Sequence, residues 1–163
     1  MPEKKHPQNL QTNTSIIRIA SVIGMLVSGY LAYVKLFHIA IYCTPGLGNC
    51  ETVNSSTYSI LFGVPLGVWG LIGYTALFLL ITFGRKIHFF SEYLDLTIFA
   101  ISLGGFLFSI YLTSLELFVI KAICQWCILS AVMMTFIFIA SVFRLVVKSA
   151  KLSQSGGKSY AKN

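Results

Sequence analysis

Charged residues are scarce in this sequence. They make up only 10% of its 163 residues, whereas hydrophobic residues make up 56%. A soluble globular domain carries about 25% charged residues. The scarcity of charge therefore argues against a soluble domain and favours a chain that spends most of its length in a membrane.

Four long segments contain almost no charge and are long enough to cross a bilayer. A helix spans the hydrocarbon with about 20 apolar residues, and the four segments cover residues 19–41, 60–83, 96–115 and 122–143. Helices are favoured over the strands of a barrel because backbone polar groups in lipid must find partners within the chain. We therefore predict an all-α membrane protein, in which one domain forms a bundle of four transmembrane helices with short connections.

Basic residues are nearly absent from one side of the predicted bundle. Ten of the twelve Lys and Arg residues lie near the N-terminus, in the second connection or in the C-terminal tail, and only Lys35 and Lys121 lie towards the other face. Basic residues near the ends of spans mark the cytoplasmic side. We expect a cytoplasmic polar N-terminus (residues 1–15), a membrane domain (residues 16–147) and a cytoplasmic basic tail (residues 148–163). The first and third connections would then face outwards from the cell membrane.

Two further signals are missing. No small-x-small cleavage site follows the first apolar segment, so we predict a retained helix rather than a removed signal peptide. The net charge of +7 is spread over the span ends and forms no basic patch or stripe, which argues against nucleic-acid binding. Membrane lipid is the expected surrounding of most of the chain.

The sequence has only four cysteines, and all of them lie on the predicted outward side. Cys43 and Cys50 are separated by six residues in the first connection. Pro45, Gly46 and Gly48 predict a turn-rich, mobile loop between them. In an oxidising compartment such a loop can close a disulfide, and the spacing leaves open whether that bond is structural or redox-active.

The second pair, Cys124-Gln125-Trp126-Cys127, opens the fourth segment. Residues at i and i+3 share one face of a helix, so the two sulfurs can bridge. A helix N-terminus lowers the pKa of a thiol, and the thiolate is the attacking species in disulfide exchange. The pattern therefore indicates a redox pair, while a structural disulfide or half of a zinc site stays open.

Metal and haem sites are less consistent with these cysteines. Structural zinc sites usually show two short Cys-x(2–4)-Cys pairs, and the loop pair lacks that spacing. A haem attachment site needs a His after the second cysteine, and Ile128 stands there. We expect no metal cofactor.

Together, the two pairs resemble the vitamin K epoxide reductase family, in its prokaryotic disulfide-bond-forming branch. The matching elements are the two cysteine pairs, the polar segment at residues 50–56 and the Leu-Phe-Gly-Val-Pro segment at residues 61–65. The resemblance covers about residues 16–147. Quinone-linked thiol oxidases of the DsbB type place the Cys-x-x-Cys in the first outward connection instead, an order that this sequence does not have.

The resemblance implies an enzyme, a quinone-dependent thiol oxidoreductase whose outward loop caps the helix bundle. Cys43 would exchange with a thioredoxin-fold (DsbA-like) protein outside the cytoplasm. Cys50 would pass electrons to Cys124, and Cys127 would reduce a membrane quinone such as ubiquinone or menaquinone. The electrons would then support disulfide-bond formation.

Three further residues are expected near the quinone, two of them by the same resemblance. Ser56 matches the Ser or Thr that the family keeps near the inner loop cysteine, and Ser59 stands about where vertebrate members have a quinone-contacting Asn. Phe62 is an aromatic residue in the outer half of the second segment, where it could border the pocket or anchor the helix at the membrane interface. Vertebrate members also carry Tyr where this chain has Ala131, so we expect a quinone rather than vitamin K epoxide as the oxidant. Because the sequence ends at Asn163, we expect the partner to be a separate protein.

Two other functions deserve comparison with this one. A non-enzymatic membrane scaffold could use the same cysteines as two structural disulfides that brace the outer loops. A carrier that moves reductant outwards would need cysteine pairs on both faces, and the sequence has none on the predicted inner face.

Overall fold

The computed structural model describes residues 6–46, 48–84 and 94–160, with side chains described there except at residues 6–12, 148 and 151–160. Five α-helices account for most of these ranges: α1 (His6–Leu36), α2 (Cys50–Ser55), α3 (Leu66–Phe83), α4 (Leu94–Ser114) and α5 (Gln125–Tyr160). A π-helix, Leu115–Ile120, continues α4. A 3-10 turn at Thr57–Ser59 and two short strands, β1 (Ile60–Leu61) and β2 (Val64–Pro65), connect α2 to α3.

Four of the helical segments are long and apolar enough to cross a membrane: Asn13–Leu36, Leu66–Phe83, Leu94–Ile120 and Gln125–Val147. Large apolar side chains on these segments are exposed, among them Leu26, Leu79 and Phe136, as expected for surfaces that face lipid. The prediction of an all-α membrane protein with four transmembrane helices is confirmed.

Helix α1 lies at the centre of the packing, where it contacts both α3 and α5, while α4 packs on α5. The apolar core of the bundle contains Ile17, Ala20, Tyr74, Leu77, Ile81, Leu94, Ile98, Met134, Ile137 and Ala140. Small residues allow α3 to approach α1 closely. A Cβ atom on Gly67 would lie 2.5 Å from the backbone nitrogen of Ala32 and 2.8 Å from the carbonyl oxygen of Ser28.

The predicted start of the second span at residue 60 is wrong, because a small hairpin occupies residues 60–65. Ile60 pairs with Pro65, and Leu61 pairs with Val64. The turn residues Phe62 and Gly63 both have positive φ, at 54° and 78°, as a tight two-residue hairpin requires. Helix α3 therefore begins only at Leu66, directly after Pro65.

The other predicted span ends differ from the helix ends by a few residues. Helix α1 ends at Leu36, and His38 beyond it has a left-handed φ of 52°. The third span continues to Ile120 rather than 115, and Lys121 ends it with a φ of 54°. Helices α1 and α5 run into the predicted N-terminal and C-terminal segments, and the division at residues 15 and 147 stays a prediction.

Polar contacts connect the helices at the end of the bundle away from the cysteines. Arg144 on α5 is 3% exposed, and its Nη2 lies 2.7 Å from Oδ1 of Asp95 on α4. Its Nη1 donates to Oγ1 of Thr14 on α1, at 2.8 Å. One guanidinium therefore joins three helices, and such charge-assisted bonds are geometrically specific. Arg85 and Lys86, which contribute to the predicted orientation, lie outside the described residues.

Candidate active site

The loop pair forms a disulfide at the opposite end of the bundle. Cys43 is bonded to Cys50, the first residue of α2. The side chain of Asn49 caps this short helix, since its Oδ1 accepts a hydrogen bond from the backbone nitrogen of Thr52 at 3.3 Å. Cys50 is completely buried, while Cys43 is partly exposed. The two sulfurs of one disulfide thus differ in their access to solvent.

Three hydrogen bonds attach the cysteine loop to the chain around the second pair. They run from the backbone nitrogen of Asn49 to the carbonyl of Ile123 at 2.9 Å, from the backbone nitrogen of Thr44 to Oε1 of Gln125 at 3.2 Å, and from Nε1 of Trp126 to the carbonyl of Tyr42 at 2.9 Å. The loop is therefore fixed to the start of α5 at both of its ends.

Gly48 makes this attachment possible. A Cβ atom at this position would lie 2.2 Å from the carbonyl oxygen of Ile123, and the φ of Gly48 is +125°. Any other residue would be strained in that conformation and would collide with the backbone of the second connection. The close approach therefore depends on glycine.

All four cysteines belong to one apolar cluster. Cys50 and Cys124 are buried in it with Val34, Ile41 and Val53, at 0% and 1% exposure respectively, and Cys43 and Cys127 pack against it. The structure thus brings together the two pairs that are far apart in the sequence. The buried member of the loop pair and the buried member of the second pair share the same core.

Cys124 and Cys127 are free thiols at the start of α5. The carbonyl of Cys124 accepts from the backbone nitrogen of Ile128 at 3.0 Å, which places Cys124 just before the helix and Cys127 in its first turn. The neighbouring Cys127 side chain lowers the pKa of Cys124, and the backbone N–H groups of Cys127 and Trp126 act in the same direction, although burial and the negative charge of Glu116 oppose them. Cys124 is thus the sulfur of this pair that is favoured as thiolate.

Glu116 contacts both residues of this pair. Its Oε2 accepts a hydrogen bond from the backbone nitrogen of Cys124 at 3.2 Å, it lines the same cavity as Cys127, and it is only 5% exposed. The π-helix that contains it is a type of insertion found frequently at functional sites. Lys121, in a left-handed conformation, then turns the chain so that Cys124 returns to Glu116.

A cavity of about 280 Å³ lies beside the second pair, among α1, α3, α4 and α5. Glu116, Cys124 and Cys127 contribute to its wall, and most of the remaining lining is apolar or aromatic, including Leu31, Leu66, Trp69, Ile101, Phe108, Leu112 and Met134. Its volume is close to the lower end of the roughly 300–1,000 Å³ that is typical of small-molecule sites. The site therefore combines a dithiol, a carboxylate and a largely apolar pocket.

Comparison with known proteins agrees with this arrangement. The sequence profile described as "Vitamin K epoxide reductase family" matches residues 15–142, a range that includes the four cysteines and Glu116. The chain belongs to this family. A stretch of 50 residues is 42% identical to the thiol-disulfide oxidoreductase LTO1 of Arabidopsis thaliana, a match that covers 31% of this chain and 13% of that protein.

Membership of the vitamin K epoxide reductase family and four transmembrane-capable helices identify a multi-pass membrane protein. The clustered cysteine pairs bring two dithiol couples together in one site of this family member. The chain spans only a small part of the length of LTO1. Among the described residues, no group of three or more His, Cys, Asp or Glu is placed to hold a metal ion.

The predicted quinone-proximal residues are divided between the cavity and the surface. Ser56 and Ser59 line the cavity, where the Ser56 hydroxyl donates to the carbonyl of Val53 and the Ser59 hydroxyl donates to the carbonyl of Ser56, both at 2.7 Å. Phe62 is 88% exposed at the hairpin turn and is not among the described residues that line the cavity. The roles of all three residues stay predictions.

Sequence reasoning overlooked Glu116. The predicted third span ended at residue 115, so the carboxylate fell in a connection, where charge is ordinary. A signal was nevertheless present, because ionisable residues within membrane segments are rare and commonly functional. Glu116 is the one acidic residue between residues 96 and 163, and the apolar sequence continues beyond it to Ile120.

Proposed function

We propose that this protein is a quinone-dependent thiol oxidoreductase of the cell membrane, which re-oxidises a thioredoxin-fold (DsbA-like) partner and so supports disulfide-bond formation. The observation that carries the proposal is the order of the cysteines in space. Cys43 is partly exposed, Cys50 and Cys124 are buried in one apolar cluster, and Cys127 lies together with Cys124 on the wall of the cavity between the helices.

Exchange with the partner begins at the loop disulfide. The thiolate of a reduced partner attacks Sγ of Cys43, because that sulfur is accessible and Cys50 is completely buried. The Cys43–Cys50 bond breaks, and Cys50 leaves as thiolate. The second partner thiol then attacks the mixed disulfide, so that the partner leaves oxidised and the loop pair is reduced.

Transfer to the second pair follows from the shared burial of Cys50 and Cys124. The Cys50 thiolate attacks Cys124 in a Cys124–Cys127 disulfide, and Cys127 becomes the leaving sulfur. Cys43 then attacks Cys50, which restores the loop disulfide and releases Cys124. The lowered pKa of Cys124 favours this release, because a sulfur that is stable as thiolate leaves faster. The state in the structure, with a closed loop pair and a free second pair, corresponds to the end of this step.

The final acceptor that we propose is a membrane quinone in the cavity. A quinone accepts two electrons and two protons. Its reduction potential is higher than that of the dithiol couple of a strong periplasmic oxidant, which lies at about −120 mV. The cavity fits such a group because its walls are largely apolar and the space where a Cβ atom of Gly73 would lie is open. Leu66, Trp69 and Phe108 would hold the ring, and the hydroxyl oxygens of Ser56 and Ser59, which donate to backbone carbonyls, would lie at its edge.

The free second pair also weighs against the scaffold alternative. A disulfide that merely braces the outer chain would be closed, whereas Cys124 and Cys127 are free thiols on a cavity wall. A scaffold would not require a pocket beside them.

Quinone reduction by purified protein tests the proposal. Wild type in lipid nanodiscs is supplied with a reduced DsbA-like protein and a quinone, and quinol formation is followed by absorbance. We expect the variants Cys43→Ala, Cys50→Ala, Cys124→Ala and Cys127→Ala to lose turnover by at least about a hundredfold, since each interrupts the sulfur relay.

Two comparisons keep this test specific. Ser55→Ala, on the exposed face of α2, serves as the control and should turn over as wild type does. If wild-type protein oxidises the partner but no quinol forms, the quinone is excluded as the electron acceptor. Full turnover by Cys127→Ala would exclude its terminal role.

A further inference from the structure

Glu116 lies where a proton must move if the second pair is oxidised. The residue belongs to the segment Leu94–Ile120, which is long and apolar enough to cross a membrane. It is almost completely buried and lines the cavity beside Cys124 and Cys127. A buried carboxylate in such a segment is costly and usually serves a function. The relay of sulfur atoms described above does not itself use this group.

The contacts of Glu116 assign it a specific position. Its Oε2 accepts from the backbone nitrogen of Cys124, which fixes the carboxylate against the start of α5. Cys127 stands three residues after Cys124, and its side chain lines the same cavity wall as Cys124 and this carboxylate. Cys127 also interacts electrostatically with both groups.

We propose that Glu116 is a catalytic residue that takes the proton from the Cys127 thiol when the second pair is oxidised, and that passes this proton into the cavity. Only its delivery to a quinone rests on the function proposed above, since the removal of the proton is the same for any oxidant of the pair. The carboxylate is then protonated once per turnover and is restored when the proton leaves.

The proton and electron balance is complete with two protons and two electrons. Oxidation of the dithiol forms the Cys124–Cys127 bond and delivers two electrons to the acceptor. The proton of Cys124 is released when that sulfur becomes thiolate, and the proton of Cys127 goes to Glu116. A quinone that takes both electrons also takes up two protons, one from Glu116 and one from the surrounding solution.

Other titratable groups face the same cavity and must be considered in any pH profile. Lys35 on α1 lines it, as do Tyr58 in the 3-10 turn and Tyr74 on α3. The ammonium group of Lys35 donates to the carbonyl of Asn54, and the Tyr74 hydroxyl donates to the carbonyl of Ser130 at 2.7 Å. Among the described residues that line this cavity, Glu116 is the one carboxylate.

The test measures oxidation of the second pair by a small soluble disulfide, dipyridyl disulfide, without quinone and from pH 5 to pH 9. Full-length protein with a closed loop disulfide and free Cys124 and Cys127 is compared with Glu116→Gln and Glu116→Asp. The Gln variant can still accept from the Cys124 backbone but cannot take a proton. We expect it to react at least about tenfold more slowly at neutral pH, since a positioned base contributes about 10²–10⁴-fold.

The pH profile separates a chemical role from a structural one. For Glu116→Gln, we expect the difference from wild type to shrink as pH rises, because hydroxide then removes the thiol proton directly, and Glu116→Asp should recover part of the rate. Glu51→Gln is the matched control, because Oε2 of Glu51 also accepts from a backbone nitrogen, that of Ile41 at 3.3 Å. It should match wild type at every pH.

The results that overturn the proposal are equally distinct. An unchanged rate and profile in Glu116→Gln would remove the proton role. An equal loss at every pH, accompanied by a lower thermal unfolding midpoint, would assign Glu116 to structure alone and would also overturn the proposal. If wild type fails to reduce quinone while the exchange profile depends on Glu116, the acceptor is wrong and the proton role stands.

Discussion

At the scale of single residues, the site depends on an unequal exposure of four sulfurs. Cys43 is partly exposed, Cys50 and Cys124 are buried, and Cys124 and Cys127 both line the cavity. Because only thiolates attack disulfides, this order restricts which sulfurs can meet the partner and which can meet each other. Gly48 allows the two pairs to approach without adding a side chain.

Replacement of Gly48 tests that approach. In Gly48→Ala, the new Cβ would lie 2.2 Å from the carbonyl oxygen of Ile123. We therefore expect the hydrogen bond from Asn49 to Ile123 to break and the cysteine loop to move away from the start of α5. Electron transfer from a reduced partner should then slow by at least about tenfold, while a small dithiol that reaches the second pair directly should be oxidised as before. A stopped-flow measurement of both reactions checks this.

Gly46→Ala is the matched control for this prediction. Gly46 also has a positive φ, 86°, but no atom lies within 4 Å of the position where its Cβ would be. A non-Gly residue in such a backbone conformation raises the free energy of the folded state by about 1–3 kcal/mol. Both variants carry this conformational strain. Equal slowing of the two variants would show that strain in the loop, and not contact with Ile123, limits the transfer.

At the scale of elements, the sequence predicted the helices well and their ends poorly. Long apolar segments without charge leave little alternative to membrane helices, and the four spans are present. The apolar pattern did not predict the hairpin at residues 60–65, because these residues are as apolar as the helix that follows. The local signs of it were Gly63, in a turn where positive φ is required, and Pro65, which is not tolerated in the interior of a regular helix.

The candidate site was also predicted only in part. The pairing of cysteines and their placement at one end followed from motif spacing and charge, because both are local properties. Glu116 did not follow, since its importance arises from a π-helix and a left-handed Lys121 that fold the chain back on itself. Likewise, no local property of the sequence distinguished Ser56 and Ser59, which line the cavity, from Phe62, whose side chain is exposed at the hairpin turn.

At the scale of the whole molecule, the two ends of the bundle differ in chemistry. One end contains the cysteines and the cap, and the other contains the buried Arg144–Asp95 pair and the basic tail. We propose that the cysteine end is extracytoplasmic and that both termini are cytoplasmic, which the distribution of Lys and Arg supports. This orientation would place the partner and the loop disulfide in an oxidising compartment.

Labelling of intact cells tests the orientation. Ser55→Cys and Ser149→Cys each introduce one exposed thiol, at opposite ends of the bundle, in a background of Cys124→Ala and Cys127→Ala. We expect a membrane-impermeant maleimide to label the first variant in intact cells and the second only after permeabilisation. The reverse pattern would place the cysteine end in the cytoplasm.

The central claim is that electrons pass from the loop pair to the second pair through Cys50 and Cys124. A Cys43→Ala, Cys127→Ala double variant leaves only these two sulfurs, and mild oxidation followed by peptide mass spectrometry measures whether they join. A Cys50→Ala, Cys124→Ala variant leaves the other two sulfurs and serves as the control. We predict a Cys50–Cys124 disulfide in most molecules of the first variant and little cross-linking in the second. Absence of the Cys50–Cys124 bond, or equal cross-linking in both variants, would contradict the relay.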